Sequence, residues 1–144
     1  MATLFGYGTL TIPEVVEALT GRSVTFTPAT AQGFARYRLK GRIYPGIVEA
    51  QGETTPGVLY TNLDSELMRL LNAYEDEIYQ TAVIPVRTNG HVHRSIAYII
   101  PSRHSDHLSR DGWDPEQFMD QHGRQYINMC RNFRRCYEEG RALP

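Results

Sequence analysis

The chain has 144 residues, with 15 Lys plus Arg against 16 Asp plus Glu and a net charge of −1. At 41% hydrophobic and 22% charged it is too apolar for a disordered tail and long enough to bury a core without disulfides or a metal. Near-neutral charge removes the strongest sequence argument for binding a nucleic-acid phosphate backbone. Arg131, Arg134 and Arg135 are the densest basic group and read as a solvated helix face.

The opening residues Met1 to Tyr7 lack a basic region followed by a long apolar run, and no apolar stretch reaches the roughly 18 residues of a membrane span. The reading is a soluble, cytoplasmic, single-domain protein over residues 1–144 with no membrane partner. Cys130 and Cys136 fall six apart in a helical pattern, about 9 Å of rise, so they are expected as reduced thiols.

Thr3 to Tyr7 reads as a short apolar strand. A helix follows, with Thr11 as N-cap, Pro13 in its first turn and Glu14 completing a capping box; Val15, Val16, Ala18 and Leu19 form its buried stripe, and Gly21 stops it. From Val24 to Tyr60 the pattern breaks into β-like pieces at 24–26, 34–39, 47–48 and 58–60, punctuated by Gly and Pro. Leu63, Leu67, Leu70, Leu71 and Tyr74 then recur at helical spacing behind Asp64 as cap, predicting a helix that ends near Glu75.

Tyr79 to Arg87 and His91 to Ile100 flank Asn89-Gly90 and predict a hairpin. After a polar loop, Asp114, Pro115 and Gln117 start a last helix whose Phe118, His122, Tyr126, Met129, Phe133 and Tyr137 make one stripe, expected to pack on the sheet. The order strand, helix, strands, helix, hairpin, helix is not that of a doubly wound sheet. It predicts an α+β fold: a small mixed β-barrel packed by helices.

Two groupings carry candidate chemistry. Tyr7-Gly8-Thr9-Leu10 sits where a strand ends and a helix is about to begin; it is either an ordinary turn or a set of free N–H groups suited to a carboxylate or oxyanion. Glu75-Asp76-Glu77, between Tyr74 and Tyr79, crowds three acids at a helix C-terminus, where the dipole disfavours them. This is either a solvated acidic corner or a place where crowding and partial burial raise one carboxyl toward proton-transfer range. His91 and His93 share a strand face without further ligands at metal spacing, so no metal is expected.

These residues resemble the γ-glutamylcyclotransferase-like (AIG2-like) family. Leu4-Phe5-Gly6-Tyr7-Gly8-Thr9-Leu10 is similar to its strand leading into Tyr-Gly-Thr-Leu, and Leu71 to Gln80 to its Leu-Asp-x-Phe-Glu-Gly-x-x-Tyr-x-Arg. Tyr44-Pro45-Gly46-Ile47-Val48 and Gly57-Val58-Leu59-Tyr60 look like its middle strands, and Trp113 to Phe133 like its helical tail.

The resemblance implies a barrel whose cavity takes a γ-glutamyl group. Its enzyme members convert a γ-glutamyl amide to 5-oxoproline and a free amine without a cofactor. It further implies Glu75 as acid/base, Tyr7, Gly8, Thr9 and Leu10 holding the γ-glutamyl part, and Tyr79 lining the cavity. The leaving group is expected between the loop at 104–112 and the last helix. Asp76, Gln80 and Asn72 stand where the family has Gly, Arg and Asp. These departures leave a second reading, a non-catalytic small-molecule binding or protein-interaction module on the same fold.

Overall fold

The computed structural model describes residues 2–144. Strand β1 (Ala2–Gly6) runs into Tyr7-Gly8 and a single 3-10 turn, Thr9–Thr11, before helix α1 (Pro13–Thr20). Thr11 is not the cap of α1, and no capping box forms. Ile12 holds the N-cap position without a side-chain bond, while the Thr11 hydroxyl donates back to the Gly8 carbonyl at 2.7 Å. The extra 3-10 turn uses that hydroxyl, and Pro13 at the helix start has no N–H to cap. Gly21 ends α1 in the left-handed region at φ 78°.

Strands β2 (Phe26–Arg38) and β3 (Pro45–Leu63) form one long antiparallel pair rather than four short pieces. Gly33 and Gly52, which read as breakers, lie at φ 79° and 84° where the register moves from Gln32 opposite Thr54 to Phe34 opposite Glu49. The strands continue through the irregularity.

Helix α2 (Ser65–Tyr74) starts as expected, with the Asp64 carboxylate accepting the Leu67 N–H at 2.8 Å. Strands β4 (Gln80–Thr88) and β5 (His91–Ile99) pair across Asn89 and Gly90, whose φ values of 51° and 77° fit the tight turn that an Asn-Gly pair favours.

The five strands close into a ring in the order β1-β3-β2-β4-β5, with β1 returning parallel to β5 at Leu4 and Ile96. This is the mixed α+β architecture expected. Neighbouring residues of β1 face opposite ways. Phe5 joins Ala31, Ile47, Val86 and Ile99 in one apolar cluster, and Leu4 joins Leu19, Leu71, Phe118 and Phe133 in another shared with the helices.

Helix α3 (Pro115–Glu139) is capped by Asp114, which accepts the Gln117 N–H at 2.9 Å. Its stripe holds in part: Phe118, Tyr126 and Phe133 are buried together with Gly123 and Cys130. The helix runs beside α1, and its buried residues share one apolar cluster with Leu4, Val58, Tyr60 and Tyr98 of the sheet. Met129 is 38% exposed and stands outside that core. Cys130 and Cys136 are free thiols, and among the described residues no helix is long and apolar enough to cross a membrane.

Candidate active site

A small pocket opens where β1 ends, between the 3-10 turn, the start of β3 and the corner joining α2 to β4. Tyr7, Gly8, Thr9, Leu10, Glu75 and Tyr79, the six residues singled out in the sequence, all line it. Two segments more than 60 residues apart therefore meet at one cavity.

The first segment is held rigidly. The Tyr7 hydroxyl donates to the Tyr98 carbonyl at 2.6 Å, and its own carbonyl accepts from Arg36 Nη1 at 2.7 Å. Burial first, and Glu75 second, push the Tyr7 phenol well above its ordinary value, so it remains a donor at neutral pH. Gly8 presses against Pro45: a Cβ there would lie 3.0 Å from the ring carbons. At the head of the 3-10 turn, the N–H groups of Thr9 and Leu10 have no carbonyl earlier in the turn to bond.

Hydroxyl groups join this loop to the helices. Thr9 Oγ1 shares a 2.9 Å hydrogen bond with the Tyr74 hydroxyl, which in turn bonds the Tyr126 hydroxyl of α3. On the far wall the Tyr79 hydroxyl donates to the Pro45 carbonyl at 2.5 Å. Tyr44 and Tyr98 complete the lining. The pocket is thus a ring of phenols around one carboxyl.

That carboxyl belongs to Glu75, the residue that ends α2. Glu75 is half-buried and lines the pocket. It forms no ion pair among the described residues. Burial, with a smaller contribution from the Asp76 charge, pushes it from 4.5 up to about 8.

Asp76 has the opposite surroundings. Burial alone would raise it. The Tyr44 hydroxyl at 2.7 Å, the Ile78 N–H at 3.0 Å and the Arg42 guanidinium at 3.3 Å all bond its carboxylate, and together they hold it below the ordinary value.

The departures from the family pattern now have places. Asp76 is not in the left-handed region, so this corner does not need glycine. Asn72 accepts a hydrogen bond from the Tyr98 hydroxyl, and Gln80 is exposed, accepting from Arg103 at 3.3 Å. The loop at 104–112 does not reach the pocket. Its Leu108 bridges Leu39, and the His107 carbonyl accepts the Lys40 N–H, which ties the loop to the end of β2.

Sequence reasoning missed Tyr44 and Tyr98 as lining residues. Tyr44 precedes β3 beside a proline and reads as a strand start; Tyr98 reads as one more apolar residue of β5. The available signal was the excess of tyrosine, nine in all. His91 and His93 are exposed on the hairpin, and no group of three or more metal-ligating side chains occurs among the described residues.

Residues 4–115 match the family described as gamma-glutamyl cyclotransferase, AIG2-like. The chain belongs to that family. AIG2-like protein C of Arabidopsis thaliana is 31% identical over 143 residues, covering 98% of this chain and 80% of that protein. AIG2-like protein D of the same plant is 25% identical over 136 residues, 92% of this chain and 89% of its own length.

Among solved structures, a solution structure from Arabidopsis thaliana superposes with a TM-score of 0.68 at 23% identity, covering 96% of this chain and 83% of its own. One named gamma-glutamyl cyclotransferase gives 0.62 at 14% identity, with 90% and 85% covered. At these identities the likeness to the solved structures is one of fold.

Proposed function

We propose that the protein is a cofactor-independent γ-glutamyl cyclotransferase that converts a γ-glutamyl amide to 5-oxoproline and a free amine, with Glu75 as general acid/base. The observation that carries this reading is the half-buried Glu75, unpaired by any cation among the described residues, in the same pocket as the Tyr7–Leu10 loop. A carboxyl raised to about 8 can both take up and return a proton near neutral pH.

The chemistry needs little beyond orientation and one proton carrier. Curled in the pocket, the substrate brings its α-amino nitrogen to its own γ-carbonyl carbon, and the closing ring has five members. Holding the ends together removes much of the barrier. The Glu75 carboxylate first takes a proton from the substrate ammonium, which frees the nitrogen lone pair for attack. The N–C bond of the lactam forms as the carbonyl π electrons move to oxygen, and Glu75 returns that proton to the amide nitrogen. Collapse of the oxyanion expels the amine, and the second proton of the ring nitrogen passes through Glu75 to the departing amine, which leaves as an ammonium. Atoms balance without water, metal or redox partner.

The remaining residues bind. The N–H groups of the Gly8–Leu10 loop favour negative charge, either the substrate carboxylate or the oxyanion. Tyr79, pinned to Pro45, forms a wall against which the acyl chain bends. In the free enzyme at pH 7 only about a tenth of Glu75 is ionised, so kcat/KM rises with pH toward 8. A bound substrate ammonium stabilises the carboxylate, so the corresponding limb of kcat lies lower.

Incubation of the purified protein with a panel of γ-glutamyl amines and γ-glutamyl amino acids, followed by assay of 5-oxoproline, tests the proposal. Release from at least one conjugate is expected. Absence of product from every conjugate, with 5-oxoproline still raising the melting temperature, would instead assign the pocket to binding alone.

A further inference from the structure

Beyond the inner pocket lies a second, more open compartment, and the two share Thr9, Tyr44 and Glu75. One side of it is the acidic corner at 73–77; the other is the face of α3 carrying Tyr126, Met129 and Phe133, with Leu143 beyond. Met129 is 38% exposed and Leu143 44% exposed, although both are apolar. A single exposed apolar residue is ordinary. Here two of them border the same groove as the edges of Tyr126 and Phe133.

The geometry points to this compartment as the subsite for the leaving group, and to an apolar substituent on the leaving nitrogen. The inference rests on the cyclotransferase reading. If the γ-glutamyl part fills the inner pocket, its amide nitrogen must lie at Glu75 to collect the proton. Glu75 is one of the residues where the two compartments meet, so whatever the nitrogen carries projects into the outer one.

The α3 wall there offers a thioether and two aromatic rings, and Leu143 beyond the helix adds an aliphatic side chain. Tyr126 turns its hydroxyl to Tyr74, and Phe133 stands edge-on to the Tyr74 ring at 5.8 Å, which fixes both rings in place. An alkyl or arylalkyl group gains contact with this wall that a small amine cannot reach.

The test compares γ-glutamyl-phenethylamine with γ-glutamyl-methylamine, following 5-oxoproline. With the wild-type protein, kcat/KM for the phenethyl conjugate is expected to exceed that for the methyl conjugate at least about tenfold. Met129→Asp should lower kcat/KM for the phenethyl conjugate about tenfold more than for the methyl one, with a melting temperature near wild type because Met129 is outside the core. Should that variant unfold, free phenethylamine must inhibit the wild type as a product more tightly than methylamine.

Equal kcat/KM for the two conjugates, while 5-oxoproline is released from both, overturns the apolar subsite and leaves the cyclotransferase reading intact. No 5-oxoproline from either conjugate, or from any other γ-glutamyl amide, overturns both.

Discussion

The inner and outer faces of the α2–β4 corner present the same chemical group, one residue apart, in opposite surroundings. On the inner face, Glu75 shares a pocket with four tyrosines and has no ion-pair partner among the described residues, and burial pushes its carboxyl up to about 8. On the outer face, Asp76 is gripped by Tyr44, Arg42 and the Ile78 N–H and stays ionised. Two carboxyls set apart in this way can divide the work: one exchanges protons, the other holds the corner's shape. Proton transfer needs the first environment; a scaffold needs the second.

The largest effect should come from removing the exchangeable proton. Glu75→Gln keeps the shape and cannot carry the proton, so 5-oxoproline release should fall by about 10² or more, with a smaller change in binding. Undiminished release by the variant would remove Glu75 from the mechanism.

The same substitution should also change stability, with a sign set by the direction of the shift. A glutamate raised from 4.5 to about 8 binds its proton more tightly when folded than when unfolded. Its contribution is therefore full below the unfolded value and is lost as pH rises through the folded one. Glu75→Gln has no such loss. The melting temperature of the variant relative to wild type should rise by about 5 °C or more between pH 5 and pH 9. A difference independent of pH would mean that Glu75 is solvated.

Asp76→Asn should do less. The amide oxygen still accepts from Ile78 or Tyr44, and the lost Arg42 pair is partly exposed, so about 1 kcal/mol of stability should go and turnover should fall less than about tenfold. Asp76 is depressed, so its contribution is present at neutral pH and is lost as pH falls through its folded value. Removing its charge also takes away the smaller of the two influences that raise Glu75. The acid limb of kcat/KM should move to lower pH; a move to higher pH would break the contrast between the two carboxyls.

The legible parts of the molecule were those set by local chemistry. Asn89-Gly90 specifies its hairpin, Asp64 caps α2, and Asp114-Pro115 opens α3, each through backbone groups within a few residues. The long β2–β3 pair was hidden because Gly33 and Gly52 supply positive φ inside an irregular strand pair as readily as between elements. Thr11 had the right chemistry for a cap, but the turn before it took up its hydroxyl.

The site divided along the same line. Glu75 and the Tyr7–Leu10 loop stand at element ends, where their residue types are conspicuous. Tyr44 and Tyr98 line the pocket through ring closure and pairing across the sheet, which no local window contains. The role of Met129 was inverted for a related reason: helical spacing placed it on the apolar stripe, whereas the position of α3 beside α1 turns it to the groove.

The contrast between the two carboxyls is most directly tested by a carbon-detected NMR titration of Glu75 and Asp76 in the folded, ligand-free protein. The account predicts a midpoint near 8 for the Glu75 carboxyl and one below 3.8 for Asp76. A Glu75 midpoint at or near 4.5 would contradict it.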